Sequence, residues 1–255
     1  MKRAGMILLT LISLIGMASI AQAHMLWLNV SNNFPELGET VTIEIGWGHK
    51  FPSDEMVQED SIENIFVRNP EGLKLLVEKV APAKYNFAPK SVGEYEIIAN
   101  LRPRFVSNTP DGRKMGSKKT LSNVVSCINV TMNAKALIKV GSKDSSISHQ
   151  SNLPIEIILP ENFKKFKAGD ELALKVMYQD MPLSNVKLSA TDENTAQQQE
   201  GKWVQESETD EQGMARIKLF SKGHWLFTAS HEIPYKDLSE CDKSLFRTTL
   251  TLTVE

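Results

Sequence analysis

The sequence predicts an all-β protein, and three observations carry that expectation. Short runs of Val, Ile, Leu and Thr recur along the chain, cut by Gly, Pro, Asn and Asp. Several of these runs alternate apolar with polar residues, the period of a half-buried strand. No window longer than about three turns keeps a 3.6-residue apolar period, so helix content is expected to be low.

The first element in chain order is not a strand. Lys2 and Arg3 precede an apolar run from Met6 to Ile20, and Ala21-Gln22-Ala23 has the small-x-small form of a signal-peptidase site. Residues 1–23 are therefore read as a signal peptide, too short and wrongly flanked for a membrane span. Cleavage after Ala23 leaves a periplasmic or secreted chain, residues 24–255, that starts at His24 and has no later stretch of membrane-spanning length. Without Lys2 and Arg3 the balance is 27 basic to 31 acidic side chains, a net charge of −4. That is not the basic face a nucleic-acid partner wants, and it gives metal cations a weakly favourable field.

Residues 24–145 are expected to form one β-sandwich domain. Val41, Ile43 and Ile45 share one face of a strand, with Thr42 and Glu44 on the other. Ile62–Arg68 and Leu73–Val80 read as a strand pair turned at Asn69-Pro70-Glu71-Gly72, and Tyr95–Ala99 as a strand that follows Gly93. Between Arg102 and Lys119 six basic residues mix with Pro and Gly. This reads as a long polar loop, solvated by default, with docking of a partner as the alternative.

Ser142 to Asn152 is polar and linker-like, and residues 146–255 form the second expected domain. Ile155–Leu159, Glu171–Tyr178 and Thr248–Val254 read as strands, with turns at Met181–Val186 and Thr209–Gly213. That order matches a small seven-stranded, transthyretin-like or immunoglobulin-like sandwich. Cys127 and Cys241, 114 positions apart, are expected to pair as a disulfide outside the cytoplasm.

Histidine chemistry is the functional signal. A free N-terminal His24 would offer its α-amine and Nδ1 to one ion, so a single residue becomes a chelate. His49 sits in Gly46-Trp47-Gly48-His49-Lys50-Phe51-Pro52, a turn that glycine allows and Pro52 stiffens. Asp54, Glu55, Glu59 and Asp60 follow; they offer oxygen ligands or outer partners, though most read as a solvated acidic face. His231 follows the strand Trp225–Ala229, and His224 starts it; seven positions apart, the two point to opposite faces. His149 falls in the linker. Trp27 and Trp47 read as core residues. A cut after Ala18 would remove the chelate and leave His49 and His231.

No short Cys/His spacing suggests a local zinc module, and no nucleophile elbow, phosphate loop or His-Glu-x-x-His helix appears. The expectation is a binding protein and not an enzyme.

These segments resemble one family. The start His24-Met25-Leu26-Trp27-Leu28, Gly38-Glu39-Thr40-Val41, Gly48-His49-Lys50-Phe51-Pro52 and Ala134–Gly141 carry the first half of the resemblance. Leu153–Ile157, Ala168–Leu172, Thr209–Gly213 and Gly223-His224-Trp225 carry the second. The chain is similar to bacterial proteins described as the periplasmic component of cobalt or nickel uptake systems. Their relatives include nickel-uptake substrate-specific proteins that accompany energy-coupling-factor type transporters. The resemblance implies a β-rich exported protein that binds a divalent transition metal and supports its uptake, with a membrane metal transporter as partner. By position it implies metal ligands at His24, His49 and His231.

An amine, two imidazoles and a T-shaped or square-planar arrangement suit Cu(II) or Ni(II). Adding His231 or a carboxylate moves the preference towards Zn(II) or Co(II). Two other readings use the same residues differently. The same donors form the copper site of oxidative polysaccharide-cleaving enzymes, but those need exposed aromatic rings, and aromatics are only 7% of this chain. A ligand-free adhesive or structural sandwich is the third reading.

Overall fold

The computed structural model describes residues 24–142, 151 and 153–255. The expected signal peptide, His149 and most of the expected linker, including the 145/146 boundary between the two expected domains, lie outside the described residues. The strands are, in chain order, β1 (Met25–Val30), β2 (Val41–Gly48), β3 (Ile62–Arg68), β4 (Lys74–Leu75), β5 (Glu78–Ala81) and β6 (Lys84–Phe87). Then come β7 (Gly93–Leu101), β8 (Arg104–Thr109), β9 (Gly112–Met115), β10 (Ser126–Val140), β11 (Ile155–Ile158) and β12 (Glu171–Tyr178). The last are β13 (Met181–Pro182), β14 (Lys187–Asp192), β15 (Gln205–Glu208), β16 (Met214–Lys218), β17 (Gly223–Pro234) and β18 (Lys243–Val254). One six-residue helix, α1 (Glu193–Gln198), and a single 3₁₀ turn at Glu59–Ser61 are the helical content among the described residues. The protein is all-β, as the alternation predicts.

A ten-stranded sheet runs through the molecule in the order β15-β14-β17-β18-β10-β7-β3-β4, with the β8–β9 hairpin also paired to β10. A sheet ordered β1-β2-β6-β5 covers one of its faces, and a sheet of β11, β12, β13 and β16 covers the other. The fifteen-residue β10 shows why both faces are buried. Ala134, Ala136 and Ile138 belong to the first core with Leu26, Leu28, Val41 and Ile43, while Leu137 points into the second with Ile155, Leu174 and Trp225. On β18, Leu250, Leu252 and Val254 enter that second core.

Several polar side chains on these doubly covered strands meet partners. Thr249 and Thr251 donate their hydroxyls to the carbonyls of Leu26 and Leu28, each at 2.7 Å, and so tie β1 to the central sheet. On the opposite face Lys135 lies 3.4 Å from Glu96 and 3.2 Å from Glu156, and Arg68 lies 2.6 Å from Glu96. Burying a charge requires such pairing.

Two sequence expectations are corrected. Residues 102–119 are not a long loop: β8 and β9 form a hairpin, and β8 pairs with Ser126–Val130 of β10. Val106, Ser107 and Thr109 are buried there, a short alternation that the flanking basic residues mask. Leu73–Val80 is not one strand. Only Lys74–Leu75 pairs with β3, and Glu78–Ala81 crosses to the covering sheet beside β6. The expected disulfide is present: Cys127 and Cys241 are bonded, with Cα atoms 4.9 Å apart. It joins the start of β10 to the turn before β18, the pairing expected of a chain outside the cytoplasm.

Candidate metal centre

The β1–β2 register builds the site. Met25 pairs with Gly48 and Leu26 with Trp47, so the next pair outward is His24 with His49. Their ring centroids are 4.2 Å apart, and the His24 ring stacks on Trp47 at 5.2 Å and 18°. Glu55 is bridged backbone to backbone with Trp47, which swings its carboxylate to within 3.1 Å of His24 Nε2. Ligand-capable atoms of His24, His49 and Glu55 all lie within 4.8 Å of one another.

The turn that carries His49 is fixed from three sides. Phe51 is buried edge-on against Trp27, at 5.9 Å between ring centroids. The Pro52 carbonyl accepts from Trp27 Nε1 at 3.0 Å and from Asn29 Nδ2 at 2.8 Å. Asp54 Oδ2 accepts from the backbone N–H of His49 at 2.6 Å and of Lys50 at 3.1 Å. Burial works against the charge on Asp54, but those two N–H groups, with the Lys50 charge behind them, outweigh it and hold its carboxyl below the usual range. The folded value is the lower one, so the charged Asp54 favours the turn at neutral pH, and that support is lost as pH falls through the folded value.

Two glycines make this approach possible. A Cβ on Gly48, whose φ is +128°, would lie 2.3 Å from Asp54 Oδ2. A Cβ on Gly46 would lie 1.8 Å from Trp27 Nε1, inside the indole. Trp27 is wholly buried and has nowhere to move. Gly46→Ala is therefore expected to cost about 1–3 kcal/mol in urea unfolding, the usual penalty of overpacking. An unchanged unfolding midpoint would mean the indole is free to shift.

The donors differ in what else they touch. His24 Nε2 faces the Glu55 carboxylate, 3.1 Å from both of its oxygens. His49 Nδ1 lies 3.7 Å from Glu200, just after α1, and its Nε2 is buried with no hydrogen-bond partner among the described residues. A buried nitrogen without a partner costs free energy unless something fills its lone pair. Backbone contact also anchors the strand end, since Arg247 on β18 donates to the His24 carbonyl at 3.4 Å.

Of the three histidines read from the sequence, the structure brings His24 and His49 together and places His231 elsewhere. His231 lies on β17 with Trp225, Phe227 and Ala229 of the second core, and its ring sits 4.7 Å from Tyr178, which packs against that core. His24 is on the opposite side of the central sheet, so the two cannot share an ion. Glu55 replaces His231 as third member; the acidic run after Pro52 was its only sequence signal. Trp47 is half-buried: it packs against the first core, as expected, and also stacks on His24. Glu200 stands some 150 positions from His49 in the chain, and no local pattern announces it.

The sequence matches the family described as Domain of unknown function (DUF4198) over residues 21–233. No curated protein matches it. Among solved structures, the fibronectin(III)-like modules of CbhA from Clostridium thermocellum are 11% identical, with 89% of this chain and 94% of that chain covered and a TM-score of 0.21. Murine CEACAM1b is 8% identical, with 91% and 99% covered and a TM-score of 0.22. Neither bears on the site.

Proposed function

The chain belongs to the DUF4198 family, and from that premise we propose that it is a periplasmic protein that binds a divalent transition metal, nickel or cobalt, in support of its uptake. The observation that carries this is the convergence of His24, His49 and Glu55 with a buried, unpartnered His49 Nε2. In the matured chain the His24 amine and Nδ1 chelate the ion and His49 Nε2 supplies the third nitrogen. Glu55, on His24 Nε2, fixes the ring orientation and tautomer, as carboxylates do for metal-bound histidines. Imidazole suits nickel, copper and zinc alike, so the choice among them rests on geometry and supply. The motifs that resemble cobalt and nickel uptake components make those ions the first to test, and a membrane metal transporter the partner that receives them.

The test is a titration of residues 24–255, beginning at a native His24, against Ni(II), Co(II), Cu(II) and Zn(II), beside the same protein carrying one extra N-terminal Gly. Binding that is tight in the first and lost in the second is the expected result, because the extra residue turns the amine into an amide. Equal binding in both would replace the chelate with a side-chain site of His24, His49 and Glu55. No binding in either would overturn the metal reading. Imidazole and amine must lose protons to bind, so affinity should also fall as pH drops from roughly 7 to 5.

A further inference from the structure

We propose that the cleft beside the His24–His49–Glu55 cluster binds a small organic polycarboxylate, so that the metal is held as its carboxylate complex. This rests on the metal reading above and names the form in which the ion is bound.

Size is the first argument. His24, Trp47 and Glu55 form one wall of a cleft of about 1160 Å³ that continues along β8, β9 and the start of β10. An ion with six waters fills only roughly 180 Å³, at ~30 Å³ per water. The remainder is the size of a small-molecule site. Its lining includes the apolar side chains of Val106, Val130 and Leu245, against which a carbon skeleton packs.

Charge is the second. Two of the three carboxylates of the cleft are ion-paired, Glu232 with Lys243 at 3.0 Å and Asp242 with Lys118, while Glu55 hydrogen-bonds His24 and keeps its charge for the metal site. Lys114 has Asp111 at 3.0 Å. Arg104 and Arg113 have no carboxylate partner among the described residues. Arg104 is half-buried, with its guanidinium 4.9 Å over the same Trp47 ring system that stacks on His24. Burial, and after it the charge of Arg113, presses Arg104 below arginine's usual value, so the two guanidiniums feel each other. Two guanidiniums with no carboxylate bonded to them, against the single carboxylate of Glu55, disfavour a bare dication there. A polycarboxylate removes the conflict: one carboxylate ligates the metal, and another accepts paired N–H donors from a guanidinium, the geometry that arginine matches best.

Equilibrium dialysis of the 24–255 chain tests this, with Ni(II) alone in a weakly coordinating buffer and with equimolar Ni(II) and radiolabelled citrate. Citrate is expected to be retained in equal amount to the metal. Arg104→Gln with Arg113→Gln is expected to retain the complex at least about ten-fold more weakly, the factor one charge-assisted hydrogen bond brings. Bare Ni(II) should bind that variant as well as the parent or better, which also shows that it folds. Arg113→Gln alone, at an exposed position, should weaken retention in the same direction. Metal binding without citrate would overturn the polycarboxylate site and leave the metal reading intact. Citrate retained without metal would overturn the complex as the bound form. No metal bound under either condition would overturn the metal reading and this inference with it.

Discussion

Replacing His49 with alanine is expected to weaken Ni(II) binding by more than about 100-fold, beyond the upper end of what losing an outer hydrogen-bond partner costs a metal site. The effect is large because His49 contributes a nitrogen that has nothing else to do. Its Nδ1 is turned to Glu200, its Nε2 is buried without a partner, and its ring is held against His24 by a turn with four hydrogen bonds. Alanine keeps the backbone N–H that Asp54 accepts, so the turn survives and the change reports on the ligand. Glu55→Gln should cost about 10–100-fold, since the amide oxygen still accepts from His24 but the charge is gone. His231→Ala should leave affinity unchanged, because that ring packs on Tyr178 across the sheet. Titration of the three variants side by side decides the matter. A His49→Ala protein that binds like the parent would end the case for this site.

The fold was largely legible because period-two alternation survives wherever one strand face is buried. Val41, Ile43 and Ile45 read as one face and are one, all in the first core. Reading failed at β10, which is covered on both sides, and where a strand is shorter than its pattern. β10 has an almost unbroken buried stretch, so its alternation between two different cores is invisible in hydropathy. The β8–β9 hairpin carries its short buried alternation among arginines and lysines and reads as loop. At the site, the histidine of a rigid Gly-x-Gly-His turn and the expected mature N-terminus are local signals, and both point to residues that meet. Glu55 was half visible as part of an acidic run. His231 was carried by resemblance alone, and strand parity puts it with Trp225, Phe227 and Ala229. Glu200 and Arg104 reach the site only through the register of distant strands, which no single segment encodes.

The same parity places a charge where hydropathy expects none, and its removal should be the most costly single change to stability. Lys135→Ala is expected to destabilise the protein by about 3–5 kcal/mol, the usual cost of breaking a buried ion pair from one side. Lys135 is 2% exposed on β10, and Glu96 and Glu156 are each 1% exposed. Glu96 would keep Arg68 and the Ser151 hydroxyl at 2.9 Å, but among the described residues Glu156 would keep only the Ser151 N–H, at 3.0 Å from its nearer oxygen. One uncompensated carboxylate would then stand between β11 and the central sheet, at the edge of the second core. Charge balance gives the control. Lys135→Met together with Glu156→Leu removes one charge of each sign and leaves Arg68 with Glu96, so most of the lost stability should return. Urea unfolding of the single and double variants separates this from a packing defect. If the loss came from cavity formation alone, Lys135→Met by itself would recover it, whereas an unpaired Glu156 keeps that variant as unstable as Lys135→Ala.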